Sequence, residues 1–348
     1  MNKLFIILLA FFLLIFSFRV YQNGGLNKQK AANADLQNLA SIFEPLQSNL
    51  SKYINNLLPQ PQAALLDGML LGVKSNLPKD FNDNLKATST IHIVVVSGQN
   101  LSMLIGFLMS FVTVLGRRKT ILISFLITCL YCLLTGLQIP AIRAAIMVSL
   151  SGFAQLIGRE KDGFWILLIT AVLMLIYDPN WLLSISFQLS FLATIGTLQV
   201  APKLKERLNF IPDILKEDLS VSFAAQLLTI PIIAANFHQI SIIGLLANTL
   251  VLWTVSPVMI TGALALVAGI INITLGQLFA LVPGVLLTYF VYIINFFANL
   301  PLASIKTGDI NYLVWIGYYL IMLAIYLSLK PNHISQSDSS LQGEALQG

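Results

Sequence analysis

Charge is what this sequence has least of. Only 10% of its 348 residues are Asp, Glu, Lys or Arg, against about 25% in an average soluble domain, while 57% are hydrophobic. A soluble chain of this length has no way to hide so much apolar surface, so soluble enzyme classes are excluded. Acid is missing where it would count most. Between Ile91 and Leu329 no Asp or Glu stands well inside a hydrophobic run; Asp178, Asp218 and Asp309 fall at ends or in loops. Proton- or sodium-coupled transport thereby loses its commonest mechanism, and intramembrane aspartyl or zinc proteolysis loses its acids and ligands. Histidine is confined to His92, His238 and His333, with no paired spacing, which argues against a catalytic metal site. Cysteine is limited to Cys129 and Cys132, three residues apart inside an apolar run, where packing explains them better than redox chemistry. A Walker-type phosphate loop is lacking, as is the short alternation of a transmembrane barrel.

What is present in abundance is apolar sequence in runs of about 20 residues, each long enough to cross about 30 Å of hydrocarbon. Backbone groups in lipid must be satisfied within helices, so the expected class is all-α, a polytopic transmembrane helical protein. Residues 1–21 carry Lys3 and then an apolar stretch to Phe18 with no small-residue cleavage signature, which reads as a signal-anchor helix. Residues 22–90 are more polar and form an expected extracytoplasmic amphipathic helical segment. There Leu36, Leu39, Phe43, Leu46, Leu50, Tyr53 and Leu57 recur at three and four, one apolar stripe that Pro45 should kink. The stripe either packs on the rest of the protein or lies in the outer membrane interface. Residues 91–330 form the membrane domain, and 331–348 a polar tail expected to be disordered.

The expected spans after the first are 91–115, 120–136, 140–157, 164–177, 181–201, 219–236, 242–256, 257–273, 276–299 and 311–329, with the seventh and eighth divided at Pro257. That makes about 10 to 11 spans, some short or broken. Lys and Arg set the orientation. Arg117, Arg118 and Lys119, then Arg159 and Lys161, then Lys203, Lys205, Arg207 and Lys216 occupy alternate connections, while those near Gln138, Asn180, Gln239 and Thr274 carry none. The basic connections are expected in the cytoplasm, with the amino terminus.

Polar groups inside the spans are few. Arg143 stands three residues after Pro140, near the start of a helix where the dipole already favours an anion. One reading is a phosphate or anion contact; the other is an arginine that snorkels or bonds a neighbouring helix's carbonyls. His92 and the run Ser97-Gly98-Gln99-Asn100 suit either a broken helix lining a cavity or a polar packing knot. Ser186, Ser190, Thr194 and Thr197 line one helix face, with Gln188 nearby, and Ser222, Gln226, Thr229 and Asn236 another. Such faces permit close helix packing, or, together with Arg143 and no embedded acid, a conduit for an anion.

In order, these motifs resemble the competence domain of the ComEC family, inner-membrane channels for DNA uptake. The likeness runs from Leu65-Leu66-Asp67-Gly68-Met69-Leu70-Leu71-Gly72 through His92 to Ser97-Gly98, which is similar to the family's His-x-x-x-x-Ser-Gly signature. It continues with Leu134-Thr135-Gly136 and Pro140-Ala141-Ile142-Arg143, then Asp178-Pro179 with Phe187-Gln188-Leu189-Ser190-Phe191, and ends with Pro231, Phe237 and Gly244 to Asn248. Where the family continues Ser-Gly with Leu-His, this chain has Gln99-Asn100. The resemblance implies passage of single-stranded DNA through the cytoplasmic (inner) membrane during natural transformation, with Arg143, His92, Ser97, Gly98, Gln99, Asn100, Gln188 and Asn248 along the path. It implies no enzyme activity, no cofactor and no metal. The OB-like and metallo-β-lactamase-like domains of many members are not legible here, so a separate nuclease is implied. A cytoplasmic DNA translocase ATPase of the ComFA kind would supply energy, and an extracytoplasmic DNA receptor of the ComEA kind would deliver the strand. The alternatives from other classes are a permease for another anionic or polar solute and a non-conducting membrane scaffold.

Overall fold

The computed structural model describes residues 3–27, 41–73, 76–94, 98–159, 162–208, 212–241, 243–301, 305–308 and 312–328. Among them helices follow one another in the order α1 (Lys3–Gln22), α2 (Glu44–Leu57), α3 (Gln62–Leu71), α4 (Lys79–Ala87), α5 (Ile91–Val94), α6 (Gly98–Met109), α7 (Val112–Leu115) and α8 (Arg117–Leu134). Then come α9 (Ile139–Leu156), α10 (Gly163–Tyr177), a 3-10 turn (Pro179–Leu183), α11 (Ile185–Ile195), a π-helical turn (Gly196–Val200), α12 (Ala201–Arg207) and α13 (Asp213–Phe237). The long helices α14 (Gly244–Ile271) and α15 (Ile273–Ala298) follow, and α16 (Tyr312–Ser328) comes last. The strands are two-residue pieces, β1 (Gln239–Ile240) and β2 (Ile305–Lys306), paired antiparallel with Gln239 opposite Lys306. The protein is therefore an all-α membrane protein. Among the described residues five stretches are long and apolar enough to cross a bilayer: α9, the continuous run Ile185–Arg207, Lys216–Asn236 within α13, α14, and α15. Residues 309–348 form a second compact unit, of which α16 is the described part. The tail 331–348 lies outside the described residues, as do Leu36 and Leu39 of the expected stripe.

One expectation about the spans is corrected. Pro257 does not divide two spans: it sits inside the single helix α14. A proline removes one N–H and leaves an upstream carbonyl unpaired, which a long helix tolerates when neighbours pack around it. α14 is wrapped by α15, α13, α6, α3 and α2. With one crossing fewer, the side inferred by alternation for the connection near Thr274 no longer follows. The kink expected at Pro45 falls against residues 28–40, which lie outside the described residues, and of Pro45 only its place in α2 is described. It stands in the first turn of α2, where its missing N–H has no intrahelical partner to lose.

The α14–α15 hairpin is the scaffold for the amino-terminal segment. Asn272 turns the chain between them and caps α15 by accepting from the Thr274 and Leu275 N–H groups at 2.8 and 3.4 Å. Small residues let the partners approach: a Cβ on Gly276 would meet the Gly269 backbone, and one on Gly262 would meet Leu66. Leu57 fills the space beside Gly269 and Gly276. α2 and α3 thus pack along the hairpin.

The short helix α3 is buried over most of its length, and its last carbonyls must find partners away from water. Tyr131 of α8 donates to the Met69 carbonyl at 3.0 Å, and Gln47 of α2 donates to the Leu71 carbonyl at 2.6 Å and to Leu134 at 3.1 Å. Gly72 supplies the left-handed turn that ends the helix. Asp67 is fully buried and takes hydrogen bonds from Ser51 and Asn76 at 2.5 and 2.9 Å. These demands rotate α2 from its expected setting. Gln47, Ser51, Ile54 and Leu57 turn inward, while Leu46 and Tyr53 of the predicted stripe are exposed.

Two outcomes follow from this packing. Gly276→Val should lower the unfolding free energy by about 1–3 kcal/mol through overpacking, read as a lower Tm of the purified protein. Asp67 sits on a helix too short to span, and burial pushes its carboxyl above the ordinary range despite the Ser51 and Asn76 bonds. A carboxyl whose folded pKa is raised disfavours the folded state as pH climbs from the unfolded value through the folded one. Asp67→Asn should therefore raise Tm relative to the native chain at pH 7, with the gain vanishing towards pH 4; a gain that grows on acidification would overturn this.

Candidate functional site: a buried arginine at the head of α6

Arg143 lies one turn into α9, after Pro140 has set the start of that helix. It is 7% exposed, so the side chain does not snorkel to water. Its Nη1 donates to the Ser190 carbonyl of α11 at 2.8 Å, and its guanidinium carbon stands 5.9 Å from the Phe191 ring centroid. Phe191 is held by Phe187, ring centroids 4.3 Å apart, in the apolar cluster that also holds Trp181 and Met174. The same Ser190 carbonyl accepts from Thr194 Oγ1 at 2.8 Å.

Gly98, the first residue of α6, closes the other side. A Cβ there would overlap Arg143 Nη2 and lie 3.2 Å from its Cζ. A side chain at this position would have to push the guanidinium out of the space it occupies. One residue pair, separated by more than forty positions in sequence, is a single structural unit joining α6, α9 and α11.

The electrostatics are unusual for a buried cation. Among the described residues the ion pairs are Lys86 with Asp83 and Lys205 with Glu217, both at the surface. Arg143 has no carboxylate, and its buried Nε has no hydrogen-bond partner. One charge-assisted bond contributes about 1.5–3 kcal/mol and a ring face about 0.5–2, against a desolvation penalty of several kcal/mol for the ion. Stability alone does not account for an arginine here. Its spare N–H groups and charge suit an anion.

The other predicted residues distribute around this centre. Asn100, 1% exposed, faces the Tyr131 hydroxyl, which links α6 to α8 and α3. Ser97 lies outside the described residues, and Gln99 is in the first turn of α6 with its side chain outside them. His92 is exposed, with Nδ1 2.8 Å from the Ser89 carbonyl, a contact in which Nδ1 carries the proton and Nε2 is left as acceptor. Gln188 donates to the Leu182 carbonyl at 3.0 Å and ties α11 to the preceding 3-10 turn. Asn248 of α14 donates to Ser222 Oγ of α13 at 2.7 Å, and its buried Oδ1 has no partner. The motif residue Asp178 caps the 3-10 turn, accepting from the Asn180 backbone and side chain, both at 3.0 Å. Tyr131 was not among the expected site residues, although its place one turn beyond Thr128 on an apolar helix marks it.

The family model for competence proteins matches residues 69–332, which span every one of these positions. The chain belongs to the competence protein family. It is 28% identical over 284 residues to the uncharacterized protein YcaI of Escherichia coli, covering 72% of this chain and 36% of that protein. It is 22% identical over 297 residues to ComE operon protein 3 of Bacillus subtilis, covering 84% of this chain and 37% of that protein. The chain thus spans a little over a third of the length of these relatives. No solved structure matches it. Within the competence family match lie both halves of the Gly98–Arg143 unit.

That unit predicts a coupling. Gly98→Ala should destabilise the protein, and the loss should shrink in an Arg143→Ala background, giving an interaction free energy of about 1–3 kcal/mol in a double-mutant cycle of unfolding. Additive effects of the two substitutions would reject the shared space.

Proposed function

We propose that the chain forms the membrane path by which single-stranded DNA enters the cytoplasm in natural transformation, and that it conducts the strand without chemical catalysis. The observation that carries this reading is Arg143, a buried guanidinium with an unpartnered Nε and no carboxylate among the described residues. Membership of the competence family supports DNA as the anion.

On this reading a phosphodiester oxygen takes the place of the Ser190 carbonyl on Arg143. The exchange swaps one acceptor for a charged one, so it is favourable but brief. A path for a polyanion needs such transient contacts, since a site that binds too tightly stops conduction. Asn248, with its spare Oδ1, and Asn100 are neutral groups able to meet bases or sugars without trapping them. Energy comes from outside the chain, from a cytoplasmic translocase ATPase. The exposed basic turn Arg117-Arg118-Lys119 at the start of α8 offers such a partner a docking point. A DNA receptor delivers the strand on the other side of the cytoplasmic membrane, and a separate nuclease removes the complementary one.

Uptake of fluorescent DNA into the DNase-protected compartment tests the reading. Deletion should leave DNA bound outside. Arg143→Gln, which removes a charge-assisted contact of about 1.5–3 kcal/mol, should lower uptake roughly ten- to hundredfold. Arg143→Lys should retain part of it, because charge persists while the planar fork is lost. Equal uptake by all three proteins would reject the contact, and uptake unchanged by deletion would transfer the path to another anionic solute.

A further inference from the structure

Hydroxyls on apolar helices have a ready partner in the carbonyl three or four residues back. Thr120, Thr135, Ser149, Thr170, Thr229 and Thr249 all take it. Ser124 and Thr128 of α8 do not. They are 3% and 0% exposed, and neither hydroxyl oxygen has a hydrogen-bond partner.

The two stand one helical turn apart, on the face that also carries Thr120, Ile121 and Tyr131. Neighbours fix where that face points. Ile121 lies 2.9 Å from a Cβ placed on Gly152 of α9, and Tyr131 faces Asn100 of α6. The unpaired hydroxyls therefore lie between α8, α9 and α6, the helices that carry Arg143 and Gly98. The face joins two polar ends about 16 Å apart between Thr120 and Tyr131, at 1.5 Å per residue. At one end is the exposed basic turn Arg117-Arg118-Lys119. At the other, Asn100 is two residues from Gly98, against which the Arg143 guanidinium rests.

A turn about χ1 would give either hydroxyl its own helix carbonyl. In a dry apolar contact that rotamer is the cheaper one, since an unmade hydrogen bond away from water is costly. Buried hydroxyls left without that bond mark a place where another partner can be taken.

We propose that Ser124 and Thr128 line a hydrated continuation of the anion path, leading from Arg143 along α8 to the basic turn. Their hydroxyls donate to water and, during transport, to phosphodiester oxygens. The identity of that cargo rests on the function proposed above; the hydration does not. Neutral hydroxyls suit the middle of such a path, because they solvate an anion without holding it as a second buried arginine would.

Single cysteines test it. In full-length protein with Cys129→Ala and Cys132→Ala, reconstituted in lipid nanodiscs so that both faces are open, a negatively charged methanethiosulfonate reagent is the probe. The nucleophile is the thiolate, which forms in water and not in hydrocarbon, so Ser124→Cys and Thr128→Cys should react about tenfold faster than Leu126→Cys. Leu126 is an exposed apolar residue on the same helix. Rates no faster than that control would overturn the proposal. A second measurement keeps the native cysteines. Thr128→Val has the same shape without the hydroxyl, and should leave Tm unchanged or lower it if water occupies the path. In a dry contact it removes an unpaired group, and a raised Tm would overturn the proposal. Fast labelling of a protein that passes no DNA would remove only the DNA reading, whereas slow labelling would remove the path whatever the cargo.

Discussion

A guanidinium removed from water without a carboxylate imposes conditions on everything near it. Arg143 needs an acceptor, and α11 provides the Ser190 carbonyl. It needs a polarisable surface, and Phe191, propped by Phe187, provides a ring face. It needs room, and α6 provides it by beginning with Gly98. Each condition recruits a different helix. The start of α6, the first turns of α9 and the middle of α11 are thereby fixed to one another through a single side chain.

Around that centre the chain resolves a second difficulty, the burial of short helices. α3 is too short to cross a membrane and is buried over most of its length, so its terminal carbonyls and Asp67 must be satisfied inside the protein. Tyr131, Gln47, Ser51 and Asn76 do this from three directions. Tyr131 serves both tasks, since its hydroxyl holds α3 and faces Asn100 of α6. The support of α3 and the arginine centre therefore meet at one residue of α8. A change at α2 or α3 can reach Asn100 and the start of α6 through that phenol without touching them directly.

Much of this was legible in the residues. Hydrophobic runs mark α9, α10 and α15 to within a few positions, because a lipid solvent penalises any interruption. Pro140 marks the start of α9, and Arg143 stands out as the embedded cation. The failures have a common cause. Pro257 reads locally as a break, but whether a proline ends a helix depends on neighbours from distant sequence, here α2, α3 and α15. The stripe through Leu46 and Tyr53 counts apolar residues alone, whereas the inward face of α2 is chosen by unpaired carbonyls on α3 that call for Gln47 and Ser51. Gln188 reads as a free polar group on a pore-like helix, and its amide is taken by the Leu182 carbonyl. Hydrogen-bond debts of this kind arise only once the elements are assembled, so no periodicity reveals them.

The same reasoning separates two uses of hydroxyls that sequence cannot tell apart. Small polar residues at intervals of four occur on α8, α11 and α13, and all three faces look alike as spacing. On α11, the π-helical turn that continues it and α13, Thr194, Thr197 and Thr229 turn back to helix carbonyls three or four residues earlier, so they spend their hydrogen bonds locally and leave a smooth surface for close packing. Gly196 shows how close: a Cβ there would lie 2.5 Å from the Ala224 carbonyl oxygen. On α8, Ser124 and Thr128 keep their hydroxyls unspent in an interface shared with the arginine-bearing helix. A hydroxyl already bonded to its backbone can only pack, whereas one left unpaired still has a hydrogen bond to give.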